Sequence, residues 1–119
     1  MTLKYKSTVT FLGEMVSDFL AEDFVIIFND NAPSAMAEIS VLHTIEEMNG
    51  LIEIGDQIRI GENIFFATAV GSDANRTFSE LGHCTLKFTG NTEVQLEGQV
   101  ELKGNGTPKI EIGDVIEIS

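Results

Sequence analysis

The chain is poor in the residues that mark most chemistry-bearing folds. Of its 119 residues one is cysteine, two are proline, two are histidine, one is tyrosine and none is tryptophan. A lone cysteine excludes an intrachain disulfide and every cysteine-cluster zinc site, and it fits a reducing compartment. Cations are scarce too: seven Lys and Arg stand against nineteen Asp and Glu, a net charge of −12. The seven, Lys4, Lys6, Arg59, Arg76, Lys87, Lys103 and Lys109, are scattered. Nucleic acid and anionic membranes are bound by clustered cations, so both are disfavoured as partners. The longest strongly apolar run, Phe24–Phe28, is far short of the roughly 20 residues that span a bilayer. The segment Met1–Lys6 alternates polar and apolar residues instead of opening a hydrophobic leader. A cytoplasmic location is expected, with no direct membrane insertion.

Motifs are missing as well. There is no G-x-x-x-x-G-K-S/T, no G-x-G-x-x-G after a strand, no G-x-S-x-G and no H-E-x-x-H. Gly104-Asn-Gly106 sits in a turn with no helix after it, so it is no phosphate cradle. With no Trp and one Tyr, the aromatic platforms of a carbohydrate cleft are lacking.

What is present indicates one small all-β domain spanning 1–119. An apolar fraction of 43% is too high for disorder. The chain is long enough to bury a single core without staples. Ile, Val and Thr number 13, 8 and 10, and these branched side chains suit a pleated sheet. Glycines punctuate the second half into short pieces. The pattern predicts about nine short strands, at 4–11, 24–29, 39–43, 57–60, 63–70, 84–89, 93–96, 99–103 and 114–118. They form a small, partly open β-barrel that the terminal strands close. One or two short helices interrupt it: 14–21, with a helical stripe of Met15, Val16, Phe19 and Leu20, and a helix capped by Ser72 or Asp73 that Gly82 stops. Pro33–Ala37 reads as a further helical turn. Exposed edge strands of such a barrel can pair two chains, so a homodimer is possible.

One internal echo is clear. Ile52-Glu-Ile-Gly-Asp-Gln-Ile-Arg-Ile60 matches Ile110-Glu-Ile-Gly-Asp-Val-Ile-Glu-Ile118. Both read as barrel corners, a Gly-Asp turn before a strand with alternate Ile inward. The one functional reading beyond that is that the fold arose by duplication. Calcium-loop ligand spacing is absent.

The chemistry that remains is histidine. His43 ends the strand 39–43 and is expected at the exposed rim of the barrel, where a neutral imidazole can act as a nucleophile. Thr44 or a nearby backbone N–H can bond phosphoryl oxygens. His83, between a helix stop and a strand, is expected to approach His43 and assist it. The plain alternative is that both are structural histidines. His43, His83 and Glu46 make a weak metal set that no spacing requires. Cys84 adjoins His83, but neighbours on a strand face opposite ways, and Cys84 reads as a small buried hydrophobe.

The chain resembles the glucitol/sorbitol-specific IIA component of the bacterial phosphoenolpyruvate-dependent sugar phosphotransferase system. The residues that carry the resemblance are Tyr5-x-x-Thr8-Val9-Thr10 with Gly13, Ile26-x-Phe28 followed by Ala32-Pro33, Leu42-His43, Ala69-Val70-Gly71-Ser72 and Glu80-Leu81-Gly82-His83-Cys84-Thr85-Leu86-x-Phe88. The resemblance implies a phosphocarrier without metal or nucleotide cofactor. A histidine, here His43, takes a phosphoryl group from phospho-HPr and passes it to a cysteine of the cognate IIB domain of the membrane permease. Some relatives carry a second histidine two positions on, where this chain has Ile45; His83 is then the one other imidazole able to help. The competing reading is a non-catalytic β-barrel binding or regulatory module, which would work without His43.

Overall fold

A computed structural model describes residues 2–119; Met1, the first residue of the segment read above for a leader, lies outside the described residues. The chain runs β1 (Tyr5–Leu12), α1 (Val16–Ala21), β2 (Phe24–Asn29), α2 (Ser34–Ala37), β3 (Val41–His43), β4 (Gln57–Ile60), β5 (Asn63–Val70), α3 (Ala74–Leu81), β6 (Cys84–Lys87), β7 (Gln99–Lys103) and β8 (Val115–Ile118). The strands close a barrel in the order β1-β3-β2-β6-β7-β5-β4-β8. The expected β-barrel is there, with the terminal strands paired (Tyr5 opposite Ile118). Among the described residues it has eight strands rather than nine, three short helices, and no opening.

Closure bears on assembly. Among the described residues every strand has a neighbour on both sides, so the free edges on which a homodimer was expected are gone. The expected ninth strand, 93–96, is a loop. Val94 and Leu96 alternate as a strand would, but buried side chains of β7 hold the segment instead. Gln99 Oε1 accepts from the Gln95 and Leu96 N–H groups at 3.2 and 3.1 Å, and the buried Glu101 carboxylate accepts from Thr89 and Asn91.

Inward residues alternate along the strands. Tyr5, Ser7 and Val9 of β1 are buried, but Phe11, expected on the same face, is 46% exposed. A bulge between Val9 and Phe11 flips the alternation. Helix α3 seats Ala74 and Phe78, one turn apart, on the barrel end. Asp73 takes the N-cap position of α3 without a capping bond, because its carboxylate pairs with Arg76 at 2.7 Å. Gly82 ends the helix at φ 61 in the left-handed region, as glycine allows.

The echo extends through the whole fold. A shift of 58 residues carries β1 (from 5) onto β5 (from 63) and β4 (from 57) onto β8 (from 115). A shift of 59 carries β2 onto β6 and β3 (from 41) onto β7 (at 100). The strand register agrees. Val9, Phe11 and Leu12 face His43, Leu42 and Val41, while Ala67, Ala69 and Val70 face Leu102, Glu101 and Val100, with a bulge at the same step. Both inner pairs, β2 with β3 and β6 with β7, are parallel. Each corner is built alike: Asp56 accepts from the Glu53 N–H at 2.9 Å and Asp114 from the Glu111 N–H at 2.8 Å. Even the helix stops correspond, Asp23 at φ 66 with Gly82 at φ 61.

Candidate functional site

Buried polar groups cost stability unless a partner or a function keeps them. One such cluster is concentrated in the first half of the barrel: Ser7, Asn29 and His43, exposed by 2%, 8% and 0%. Their counterparts in the second half are Phe65, Phe88 and Leu102, an apolar core filling in which Phe65 packs on Phe88 at 4.9 Å. The polar set is therefore no requirement of the fold.

His43 is not at an exposed rim, as a strand-end position suggested. Strand β3 is only three residues long, and the turn that follows α3 folds over its end. The ring lies between Tyr5, edge-on at 6.0 Å, and Phe78, stacked at 6.3 Å. Both ring nitrogens are engaged. Nε2 lies 2.8 Å from the Gly82 carbonyl oxygen, the shorter of the ring's two carbonyl contacts, which favours the tautomer with the proton on Nε2. Nδ1 lies 3.0 Å from the Tyr5 hydroxyl and 3.1 Å from the Thr44 carbonyl oxygen. Burial holds the imidazole below the ordinary histidine range, against the pull of those two carbonyls and of the Asp30 and Glu46 charges. The resting ring is thereby kept neutral.

Gly82 fits this place for two reasons. Its φ is left-handed, and a Cβ there would collide with Asn29 Oδ1 and crowd His43 Cε1. Helix α3 holds the turn by the Gly82 N–H to Phe78 carbonyl bond at 2.8 Å. Asn29 lies beside His43 in the parallel pairing of β2 and β3.

The other expected site residues are placed differently. Thr44 is adjacent, but its hydroxyl oxygen accepts from the Thr8 N–H at 3.0 Å and ties β3 to β1. His83 is half-buried, donates from Nδ1 to the Ile27 carbonyl at 3.1 Å and packs on Phe28 at 4.9 Å. The two imidazoles are thus bonded to different carbonyls. His43, His83 and Glu46 do not converge; among the described residues no three His, Cys, Asp or Glu side chains make a metal cluster. Cys84 lies in the core, and burial pushes its thiol up to about 12, so it supplies no thiolate near neutral pH. Two surface cavities, of about 290 and 330 Å³, are lined by residues around Asp114 and by 91–95, away from His43. Sequence reasoning missed Tyr5 and Asn29. Tyr5 was visible only as a strand residue within the family resemblance, with no role of its own.

The geometry is that of a closed barrel burying one hydrogen-bonded histidine beneath a helix-terminal turn. The same fold occurs in a solved PTS system IIA component from Enterococcus faecalis V583, with a TM-score of 0.83 and 28% identity over 94% of this chain and 97% of that one. The family model for the PTS system glucitol/sorbitol-specific IIA component matches residues 4–117. PTS system glucitol/sorbitol-specific EIIA components of Escherichia coli (strain K12) and Shigella flexneri are each 34% identical over 117 residues, covering 98% of this chain and 95% of theirs. The chain belongs to the glucitol/sorbitol-specific IIA family of the sugar phosphotransferase system. No helix among the described residues is long and apolar enough to cross a membrane.

Proposed function

We propose that the protein is a cytoplasmic phosphocarrier for glucitol/sorbitol uptake, taking a phosphoryl group from phospho-HPr on His43 and passing it to a cysteine of the IIB domain of the permease. The observation that carries this reading is the asymmetry of the barrel: a neutral, fully hydrogen-bonded imidazole stands where the duplicate half has Leu102.

Nε2 is the acceptor in this reading. Nδ1 faces Tyr5 and Thr44, whereas Nε2 is covered by a single turn residue, Gly82. The ring must first carry its proton on Nδ1, towards the Thr44 carbonyl, and the Gly82 carbonyl must withdraw. The Nε2 lone pair then attacks phosphorus. A P–N bond forms at Nε2 as the P–N bond of the donor phosphohistidine breaks, and that electron pair returns to the donor ring nitrogen. Each ring keeps its remaining N–H, so no further proton moves. In the second step the cysteine thiolate of IIB takes the phosphoryl group and His43 leaves as neutral imidazole. Such transfer needs positioning and charge stabilisation, and the donor supplies the activated phosphoryl group without metal. Asn29, beside the Gly82 turn, is placed to bond phosphoryl oxygens. Exposed Glu46 and Glu47 follow β3, and with the net charge of −12 they favour encounter with a basic partner face. The transfer rate then falls as salt rises; a flat salt dependence would remove the steering argument.

The burial of His43 also suits the competing reading, a binding module. One experiment separates them: incubation with phosphoenolpyruvate, enzyme I and HPr, followed by intact mass. A gain of one acid-labile phosphoryl group in the wild type and none in His43→Ala is expected. No gain in the wild type would favour the binding module, and a gain surviving in His43→Ala would move the chemistry to His83.

A further inference from the structure

We infer that Tyr5 is a positioning residue for His43: its hydroxyl, bonded to Nδ1, donates to the bare nitrogen of the resting ring and keeps the ring neutral. The consequence for transfer rests on the proposed role of His43; the hydrogen-bond chemistry does not.

Two carbonyls face the ring. They only accept. Gly82 O lies at Nε2 and Thr44 O at Nδ1, so whichever nitrogen of a neutral ring is bare faces an oxygen lone pair. The shorter contact, 2.8 Å, belongs to Nε2, which leaves Nδ1 bare. Among the ring's hydrogen-bond partners the Tyr5 hydroxyl alone can donate, and it lies 3.0 Å from Nδ1. Burial pushes the Tyr5 hydroxyl up to about 12, so it keeps its proton at neutral pH. Without that donor, a second proton on the ring, shared between two carbonyls, becomes the favourable answer. The Asp30 and Glu46 charges pull the same way. From α3 the ring meets Phe78, which is uncharged, and Cys84 of β6 stays a thiol.

The hydroxyl also serves the other tautomer. When the proton moves to Nδ1 to free Nε2, the hydroxyl turns from donor to acceptor. A phenyl ring does neither. The surroundings of Tyr5 hold it in place. It is 3% exposed, its backbone pairs with β8, and its ring packs on Phe78 at 4.7 Å. The duplicate half has Asn63 and Leu102 at the matching positions, so phenol and imidazole are absent there together.

The test uses the fact that Tyr5 is the only tyrosine, so biosynthetic 3-fluorotyrosine labels this site alone. His43 is titrated by nitrogen NMR in the wild type, in Tyr5→Phe and in the fluorotyrosine protein, and transfer from phospho-HPr is timed in each. Tyr5→Phe is expected to raise the His43 pKa and slow transfer about tenfold, the scale of one hydrogen bond. Fluorotyrosine, the stronger donor, is expected to lower the pKa. An unchanged titration, or a shift in the same direction for both proteins, would assign Tyr5 to packing and overturn the inference. Should Tyr5→Phe not fold, the fluorotyrosine direction decides alone. The titration needs no partner protein, so it stands whether or not His43 proves to be the phosphoryl acceptor.

Discussion

The two halves of the barrel are the same device built with opposite contents. In the second half Phe65, Phe88 and Leu102 fill the interior behind β7. In the first half Ser7, Asn29 and His43 take those places behind β3, and the Ser7 hydroxyl has no hydrogen-bond partner among the described residues. The second half shows that these three positions can be apolar while the frame closes, although it buries Gln99 and Glu101 of β7 elsewhere. The first half carries polar side chains at all three, a cost that suits the proposed site.

The sharpest way to break the comparison is to make the halves alike. His43→Leu copies Leu102 into the first half. Phosphoryl acceptance, read by intact mass, should vanish entirely while the fold persists. The same variant tests linkage. Burial lowers the His43 pKa in the folded chain, so the unfolded chain binds the extra proton first. This group's contribution to stability is complete above about pH 6.5, the unfolded value, and is lost as pH falls through the folded one. Denaturant titrations at pH 7 and below should show that component in the wild type and not in His43→Leu. An identical pH slope in both would mean that the ring is not buried neutral.

The reverse exchange is the next largest. Leu102→His puts an imidazole into a shell with no hydroxyl at the Tyr5 position and no polar residue at the Asn29 position. It should cost about 3 kcal/mol, from lost apolar burial and an unpaired polar group, and it should create no second phosphoryl acceptor. Phosphorylation at residue 102 in the double variant His43→Leu with Leu102→His would show that the frame alone, and not its first-half contents, makes the site.

The helix stops offer a third test. Gly82→Ala places a Cβ against Asn29 and His43 at a left-handed φ. A loss of about 2 kcal/mol is expected from backbone strain alone, while transfer per folded molecule should not fall, because the displaced turn uncovers the Nε2 that attacks. An alanine variant of normal stability would mean that the turn already stands open in solution.

How much of this was legible beforehand can be traced residue by residue. The matching corners at 52–60 and 110–118 were readable because turn chemistry is local and keeps its letters. The rest of the duplication was not, since Ser7 against Phe65 or His43 against Leu102 share a register and nothing else. His43 and His83 stood out because only two histidines exist. Their relation did not: the bond from His43 to Gly82 spans 39 positions and that from His83 to Ile27 spans 56. The false strand at 93–96 had the right period, but the deciding groups, the side chains of Gln99 and Glu101, act from the next element. Tyr5 escaped notice because alternation reports that a residue faces inward, not what its hydroxyl meets.

The smallest expected effect is the mirror image of the glycine test. Asp23 holds in the first half the left-handed turn that Gly82 holds in the second, at φ 66. Aspartate tolerates that region better than most residues but still at some cost. Asp23→Gly relieves the strain and loses part of the gain to the greater freedom of an unfolded glycine. The net should be a gain of about 0.5 kcal/mol, a rise of about 2 °C in Tm by the scaling for a domain near this size. The Asp23 carbonyl, which accepts from the Phe88 N–H at 2.8 Å, is kept. Transfer should be unchanged, because this turn covers the half that carries Leu102. A changed transfer rate in Asp23→Gly would show that the two halves are coupled through the barrel, and the site would then belong to the whole ring of strands and not to one half of it.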